Sequence, residues 1–502
     1  MSAIPASLER RALSLGTANA IDYALQFLLP IVLTRTLDPQ AFGEYRLLWL
    51  AIAALMLVTP MCMAPALYYF LPRADRPTQR IYINQTLVYL LVAGLVSAWA
   101  ISVWNPFLPG KLDGLNEHHA IVVPLFALVW IFAMALDALP TADERVGWQA
   151  RAIVALSATR AVGLSLVAIY TRQLEPVLWA LVAFALIKAG LLLWYAHHYH
   201  GLRPPFARRD TFEAQVKQAA PFALSGFLHG MRSQGDQWIA AALFTVTQFA
   251  SFSVATVLGP LVQIFRQSVN NVFLPSMSRM QASGDYAAML ALNSRANCMV
   301  ALMVFPMLAF AFVFAEQEIA LVYTRTYLEA VPVMRLYTVG LFAFVVELVS
   351  LLFVLGQGGF AARVNGLVLA IALPLSFWGA THVGLAGAAM GSVAALYAER
   401  LVSLQRLAKL TATPLSRLQD WRTLGGLAIA AWLAAGATGL ALHWSEWSTL
   451  AALLAGGTIM AATYPLALHL TGQWDQLVGF IEALRGRRTN EAGAARKNRN
   501  EA

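Results

Sequence analysis

Charged residues are scarce in this chain of 502 residues, since Asp, Glu, Lys and Arg together make up 12% of it. A soluble domain normally carries about 25%. Hydrophobic residues make up 59% of the chain, which is more apolar side chain than a soluble core can bury. The shortage of charge therefore excludes an ordinary soluble fold and indicates a protein that lies in a membrane.

The chain also lacks the patterns of disulfide frameworks, metal sites and common enzyme classes. Its two cysteines, Cys62 and Cys298, fall in apolar stretches, so we expect no disulfide, no metal site and no cofactor. No Walker A, HExxH or DxD pattern is present. The segments between apolar stretches are short, whereas membrane glycosyltransferases and polymerases need a large outer loop. The chain is therefore predicted not to be an enzyme.

Apolar stretches of membrane-spanning length recur along the whole chain. A helix of about twenty apolar residues crosses a hydrocarbon core about 30 Å thick, and these stretches do not alternate as barrel strands would. We therefore predict an all-α integral membrane protein with about fourteen transmembrane helices. The predicted spans cover residues 13–33, 47–70, 82–104, 121–140, 152–171, 177–197, 219–240, 249–272, 296–315, 333–355, 364–381, 385–403, 424–442 and 448–470.

The basic residues are distributed unevenly between the two sides of these spans. With the N-terminus in the cytoplasm, the cytoplasmic segments hold 24 of the 35 Lys and Arg residues, and the outer segments hold five. This is the positive-inside rule, so the net charge of +9 reports topology and not a nucleic-acid partner. We expect a multi-pass membrane protein with both termini in the cytoplasm. The first apolar stretch has no small-residue cleavage site, so no signal peptide is expected.

An internal repeat relates two parts of the chain at an offset of 207 residues. The segment LTRTLDPQAFGEYRLL (33–48) resembles AALFTVTQFASFSVAT (241–256), with Phe42 set on Phe249 and Tyr45 on Phe252. Six spans lie between the copies, so both copies enter the membrane from the same side. The repeat predicts two six-helix lobes, 1–200 and 201–410, followed by an additional helix pair at 411–472. Residues 473–502 are predicted to form a cytoplasmic interfacial helix and a disordered basic tail.

Seven ionisable residues fall in the middle of predicted spans, where each costs about 2.5–3.5 kcal/mol unless it has a partner or a cavity. Basic side chains bind anionic groups such as phosphate oxygens, so the four cations are predicted to line a substrate-binding cavity: Arg160, Lys188, Arg232 and Arg266. Burial can raise the pKa of a carboxyl group until it carries a proton. The three carboxylates are therefore candidates for binding a coupling ion, H⁺ or Na⁺: Asp22, Asp236 and Glu347.

Each of these residues also has a structural explanation. Arg232 and Asp236 lie four residues apart on one helix and can neutralise each other. Lys188 can snorkel, Arg266 can be an anchor near the inner surface, and Asp22 can pair with an arginine of the facing lobe. Three further charged residues lie near span ends and are expected at the membrane interface: Asp137, Glu399 and Arg400.

Four segments carry a resemblance to a known family: TRTLDPQAFGEY (34–45), GDQWIAAALFTVTQFASFSVA (235–255), LPSMSRMQASGDY (274–286) and VGLAGAAMGSVAAL (383–396). In their order and spacing they resemble the polysaccharide flippases, the Wzx-like branch of the superfamily that also contains MATE exporters and MurJ-type lipid II flippases. The resemblance covers about residues 10–470.

The resemblance implies a two-lobed transporter of the bacterial inner membrane that moves an undecaprenyl-pyrophosphate-linked oligosaccharide from the inner to the outer leaflet. The four mid-span cations would then line the cavity for its diphosphate and sugar. Such proteins serve O-antigen, capsule or exopolysaccharide synthesis, which makes polysaccharide polymerase and export proteins candidate partners. Transport would be driven by a coupled ion or by the membrane potential. A MurJ-like lipid II flippase and a MATE-type exporter of organic cations or drugs are the alternatives. The surplus of mid-span cations and the extra helix pair favour an anionic lipid over a cationic drug.

Overall fold

The computed structural model describes residues 6–106, 114–115, 118–443 and 447–482, and these residues form helices without any strand. The first half of the chain contains α1 (Ala6–Thr36), α2 (Pro39–Val58), α3 (Met63–Phe70), α4 (Arg76–Ile101), α5 (Val122–Ala133), α6 (Ala135–Ala142), α7 (Val146–Thr171), α8 (Leu174–His200), α9 (Arg209–Leu243) and α10 (Val246–Ala255). The second half contains α11 (Leu258–Ala282), α12 (Tyr286–Val313), α13 (Ala315–Val322), α14 (Ala330–Phe344), α15 (Val349–Val354), α16 (Gly358–Val383), α17 (Met390–Thr411), α18 (Leu415–Leu418), α19 (Trp421–Leu442) and α20 (Thr449–Leu470).

Twelve spans among the described residues are long and apolar enough to cross a membrane. The predicted span at 219–240 lies inside α9, whose many polar side chains set it apart from those twelve. The predicted span at 333–355 is shared between α14 and α15, which are separated by a break at 345–348. The expected all-α membrane fold of about fourteen helices is thus confirmed.

The chain divides into two compact units, residues 1–253 and 254–502. The division lies beyond the predicted lobe boundary at residue 200, because α9 packs against α2, α3 and α4 of the first unit. In the first unit α1 packs along α7, and α8 packs on both α5 and α7. In the second unit α12 packs on α11 and α19, and α16 packs on α17. The six-helix lobes themselves stay a prediction.

Breaks interrupt several of the predicted spans. The stretch 47–70 is broken between α2 and α3, where Met61 and Cys62 have positive φ angles of 43° and 54°. The stretch 121–140 is broken at Met134, between α5 and α6. The stretch 385–403 begins with a 3-10 turn, Leu385–Ala389. Hydropathy could not reveal the break at Met134, because this residue is as apolar as its neighbours. Thr59 and Pro60 lie at the first break, and Gly384 precedes the third.

The two copies of the internal repeat begin their helices in the same way. The Asp38 side chain accepts a hydrogen bond from the Ala41 amide at the start of α2. Thr245, 207 residues later, accepts one from the Gln248 amide at the start of α10. The aligned aromatic residues Phe42 and Phe249, and likewise Tyr45 and Phe252, are all buried. Matching N-caps and matching burial support the alignment made from the sequence.

The two helix starts also contact each other. Thr247 donates a hydrogen bond to the Oε1 atom of Gln40, the position it matches in the repeat, over 3.4 Å. A Cβ atom on Gly43 would collide with the carbonyl oxygen of Val246. Glycine in the Phe-Gly pair of the first copy is therefore required by a close approach of α2 to α10, whereas the second copy has Ala250 there.

Part of the predicted interfacial segment is helical. Residues 474–482 form a helix, and Leu477 and Phe480 on it pack against a buried cluster around α12 and α19. Trp474 and Ile481 are exposed. The rest of the predicted segment and tail, 483–502, lies outside the described residues.

Candidate functional site

A polar cluster joins α1 to α7 in the first unit. The Asp22 carboxylate accepts hydrogen bonds from Ser157 over 2.5 Å and from Gln26 over 2.6 Å. The Nη2 atom of Arg160 lies 3.6 Å from the same carboxylate. Each helix contributes two polar residues one turn apart, so the close packing of α1 on α7 brings all four together.

A second ion pair lies beside this cluster. Lys188 on α8 places its Nζ atom 2.8 Å from the Oδ2 atom of Asp137 and 4.8 Å from the centre of the Trp130 ring. The Lys188 side chain is 8% exposed, whereas that of Asp137 is 61% exposed. The break between α5 and α6 lies just before Asp137, and Gln149 donates a hydrogen bond to the Asp137 carbonyl oxygen over 3.4 Å. The lysine is thus buried, whereas most of its carboxylate partner is exposed at the protein surface.

Both ion pairs line one cavity of about 220 Å³, together with Gln26, Trp130, Gln149, Ser157 and Phe184. An adjoining cavity of about 310 Å³ shares Gln26 and Arg160 with the first. Its other polar and aromatic walls come from α2 and α9: Tyr45, Arg46, Trp49, Gln234 and Gln237. Three of the predicted site residues, Asp22, Arg160 and Lys188, are therefore brought together.

Arg266 and Glu347 lie in the second unit, where they form a close ion pair. Arg266 also donates to Gln263 over 2.7 Å, and its guanidinium lies 3.9 Å from the centre of the Phe344 ring. The Glu347 carboxylate accepts a hydrogen bond from the Ser350 amide over 3.0 Å. Both charged side chains are buried, at 12% and 8% exposure.

The backbone of Glu347 is held as firmly as its side chain. Asn293 and Asn297 donate to its carbonyl oxygen over 3.1 and 3.4 Å, and its amide donates to Asn297 over 3.0 Å. These amide side chains replace the helical hydrogen bonds that the break between α14 and α15 removes. The contacts of Glu347 thus stabilise a broken helix.

Arg232 and Asp236 lie on α9 of the first unit. Asp236 is buried, and its carboxylate accepts a hydrogen bond from the Gln237 amide over 2.7 Å. Arg232 is half-buried. Within the described chain, neither is among the residues that line the two cavities above.

The structure differs from several sequence-based expectations. Asp22 pairs with Arg160 of its own unit, not with an arginine of the facing lobe. Glu399 and Arg400, expected at the membrane interface, are 8% and 5% exposed, and their charged atoms lie 3.6 Å apart. The sequence analysis did not identify Asp137 as the partner of Lys188. The repeat offset of 207 residues would not have found it, because it sets Asp137 on Phe344, three positions before Glu347.

Comparisons with known proteins agree with this architecture. A family model described as "Polysaccharide biosynthesis protein" matches residues 32–332. No curated protein matches the sequence.

Solved transporters share the fold at low sequence identity. A lipid II flippase MurJ in an inward closed conformation has a TM-score of 0.69 at 10% identity, covering 91% of this chain and 98% of that one. An inward-facing multidrug resistance MATE family transporter has a TM-score of 0.59 at 13% identity, covering 78% and 96%. A MOP superfamily transporter from Pyrococcus furiosus, described as having a binding pocket of reverse polarity, has a TM-score of 0.54 at 14% identity, covering 80% and 95%.

Proposed function

Because this chain belongs to the polysaccharide biosynthesis protein family, we propose that it is a flippase for an undecaprenyl-pyrophosphate-linked oligosaccharide. It would carry the oligosaccharide from the inner to the outer leaflet of the cytoplasmic membrane for O-antigen, capsule or exopolysaccharide synthesis. The observation that carries the proposal is the pair of cations, Arg160 and Lys188, on one small cavity in a membrane-embedded unit.

A diphosphate is the substrate group that these cations suit best. The planar guanidinium of Arg160 offers several donors to phosphate oxygens, and the Lys188 ammonium gives a compact charge. A volume of about 220 Å³ is below the usual range of about 300–1,000 Å³ for ligand pockets, so the sugar needs further space. The adjoining cavity supplies amide side chains, Gln234 and Gln237, which can bond sugar hydroxyls.

Each cation already has a carboxylate partner, and this sets the energetics of binding. A diphosphate that enters the cavity displaces Asp22 from Arg160 and Asp137 from Lys188. Asp137 is largely exposed and can be rehydrated, whereas Asp22 is one quarter exposed. Displacing Asp22 therefore costs more unless another cation replaces Arg160 as its partner. We accordingly propose Asp22, the carboxylate candidate that lies on the cavity, as the group that binds the coupling ion, H⁺ or Na⁺.

A MurJ-like lipid II flippase is the second candidate. The specific observation in its favour is the fold match over 91% of this chain. The same diphosphate chemistry would serve both substrates, so only the sugar distinguishes them. A MATE-type cation exporter fits less well, because the cavity pairs each carboxylate with a cation.

The test is depletion of the protein, followed by labelling of lipid-linked sugars with a sugar-reactive probe that cannot cross the membrane. The proposal expects lipid-linked oligosaccharide to become inaccessible from outside, and surface polysaccharide to disappear while peptidoglycan synthesis continues. Arrested peptidoglycan synthesis would instead identify a lipid II flippase. Unchanged labelling with new sensitivity to cationic drugs would overturn both.

A further inference from the structure

We propose that the second unit binds one phospholipid by its phosphate, at a site separate from the diphosphate cavity. The site is a cavity of about 940 Å³ between α12, the connection from α17 to α19, and the helix at 474–482. This inference goes beyond the proposed function, because it concerns a lipid of the surrounding membrane and not the transported one.

The cavity runs along one face of α12. The lining residues recur every three or four positions from Ala287 to Leu302, which corresponds to about 22 Å at about 1.5 Å per residue. One leaflet of a bilayer with headgroups is about as thick. The residues on this face are Ala287, Leu290, Ala291, Ser294, Arg295, Cys298, Met299 and Leu302.

The cavity is polar at its mouth and mainly apolar at its floor. Arg295, Arg417 and Asp475 are exposed. The buried lining residues are Leu290, Cys298 and Leu302, together with the polar Ser294 and Gln419. Its occupant must therefore have a polar head and an apolar body. A free phosphate ion would leave the apolar floor uncovered, and a hydrocarbon would leave the arginines without partners.

The two arginines at the mouth are available for a phosphate. In the described part of the chain, the guanidinium groups of Arg295 and Arg417 make no hydrogen bond or ion pair, and the amide of Arg417 donates only to the Pro414 carbonyl oxygen. Asp420 lines the same cavity but does not pair with either arginine, because its carboxylate accepts hydrogen bonds from both the amide and the hydroxyl of Thr423. Two guanidinium groups without partners at the mouth of an amphiphilic cavity suit a phosphodiester.

The surroundings place this cavity at a membrane surface. α12 and α19 begin beside it and α17 ends beside it. The helix at 474–482 exposes Trp474 and Ile481, side chains typical of a helix that lies in the headgroup region. A membrane phospholipid is the amphiphile that is abundant at this depth.

Native mass spectrometry of the full chain in a mild detergent tests the proposal. Phosphatidylethanolamine, phosphatidylglycerol, diacylglycerol and undecaprenyl phosphate are added separately. Wild-type protein should retain one phospholipid and no diacylglycerol. The double variant Arg295→Gln/Arg417→Gln should bind it about tenfold more weakly or worse, because each charge-assisted hydrogen bond contributes about one order of magnitude in affinity.

Arg422→Gln is the matched control, since this arginine is exposed near the cavity but does not line it. Ala291→Trp fills the cavity without changing charge and should also exclude the lipid, which keeps the test valid if the double variant does not fold. Asp475→Asn should weaken binding of phosphatidylethanolamine alone if its ammonium meets that carboxylate. Equal phospholipid retention by all variants, retention of diacylglycerol, or binding of undecaprenyl phosphate alone would overturn the proposal.

Discussion

The fourth and tenth predicted spans are both broken, and a carboxylate lies at or just after each break, but the two carboxylates are held very differently. Asp137 in the first unit is 61% exposed and bonds Lys188 on the wall of a cavity. Glu347 in the second unit is 8% exposed and bonds Arg266, while Asn293 and Asn297 hold its backbone. Lys188 can therefore exchange its carboxylate partner for a substrate group, whereas Arg266 is held by a buried partner. We call Arg266 and Glu347 the locked pair. A mid-span cation is a candidate for substrate binding when its counter-ion can be replaced.

The largest effect on stability should come from the locked pair. Glu347→Ala leaves Arg266 as an uncompensated buried charge, which costs about 3–5 kcal/mol of unfolding free energy. Asp137→Ala also leaves a buried cation, since Lys188 is 8% exposed. It should cost less, because the Lys188 ammonium lines a polar cavity of about 220 Å³ in which water can replace the lost carboxylate. Thermal unfolding in a mild detergent compares the two variants, and equal losses would remove the distinction between the breaks.

Transport should respond in the opposite order. The neutral pair Asp137→Asn/Lys188→Met should slow appearance of lipid-linked sugar in the outer leaflet by about ten- to hundredfold, because a charge-assisted bond to the diphosphate is lost. The matched pair Arg266→Met/Glu347→Gln removes both charges from the locked break and should leave the rate within about threefold. If the second double variant transported more slowly than the first, the substrate site would lie in the second unit, which would contradict the proposal.

The starts of α2 and α10 allow a subtler comparison of the copies. Gly43→Ala should destabilise the protein by about 1–3 kcal/mol, because its Cβ meets the backbone of Val246. Gly163→Ala, in the middle of α7 with open space around it, should be neutral or stabilising by up to about 1 kcal/mol. If thermal unfolding shows Gly43→Ala to be harmless, the close approach is not required.

The smallest effect concerns α13, which follows the third span of the second copy. Burial raises the pKa of Glu318 to about 7, beside an apolar cavity of about 450 Å³. The folded state then binds a proton that the unfolded chain has released, so stability should fall as pH rises from about 4.5 towards 7. Glu318→Gln should flatten this slope in pH-dependent thermal unfolding, whereas Glu316→Gln, on the exposed side of α13, should leave it unchanged.

Hydropathy and the positions of Lys and Arg were enough to predict the membrane fold, since a bilayer tolerates few alternatives to a helix. The repeat was visible because Phe42 and Phe249 begin equivalent buried faces. The break at Met134 was not visible, because the residue is apolar and only the backbone changes direction. The break at Met61 follows Pro60, a residue that interrupts helices.

The site was predicted in part for a similar reason. A mid-span arginine such as Arg160 can be recognised in the sequence because placing its charge in the membrane costs free energy. The partners of Arg160 depend on how helices that are distant in the sequence pack together. Asp22 and Arg160 are 138 positions apart, and no local pattern states that α1 lies against α7. Asp137 and Gln149 were overlooked because their positions near span ends suggested contact with water.

The most direct test of the account is the affinity of the purified protein for a short-chain polyprenyl-diphosphate-linked sugar, measured by isothermal titration calorimetry. Arg160→Ala should raise the Kd by about ten- to hundredfold. Arg151→Ala, on an exposed face of the same helix, should leave it unchanged. The corresponding monophosphate should bind more weakly to the wild-type protein, and its affinity should fall less when Arg160 is substituted. A Kd that is the same for wild type and Arg160→Ala would contradict the assignment of the diphosphate to this cavity.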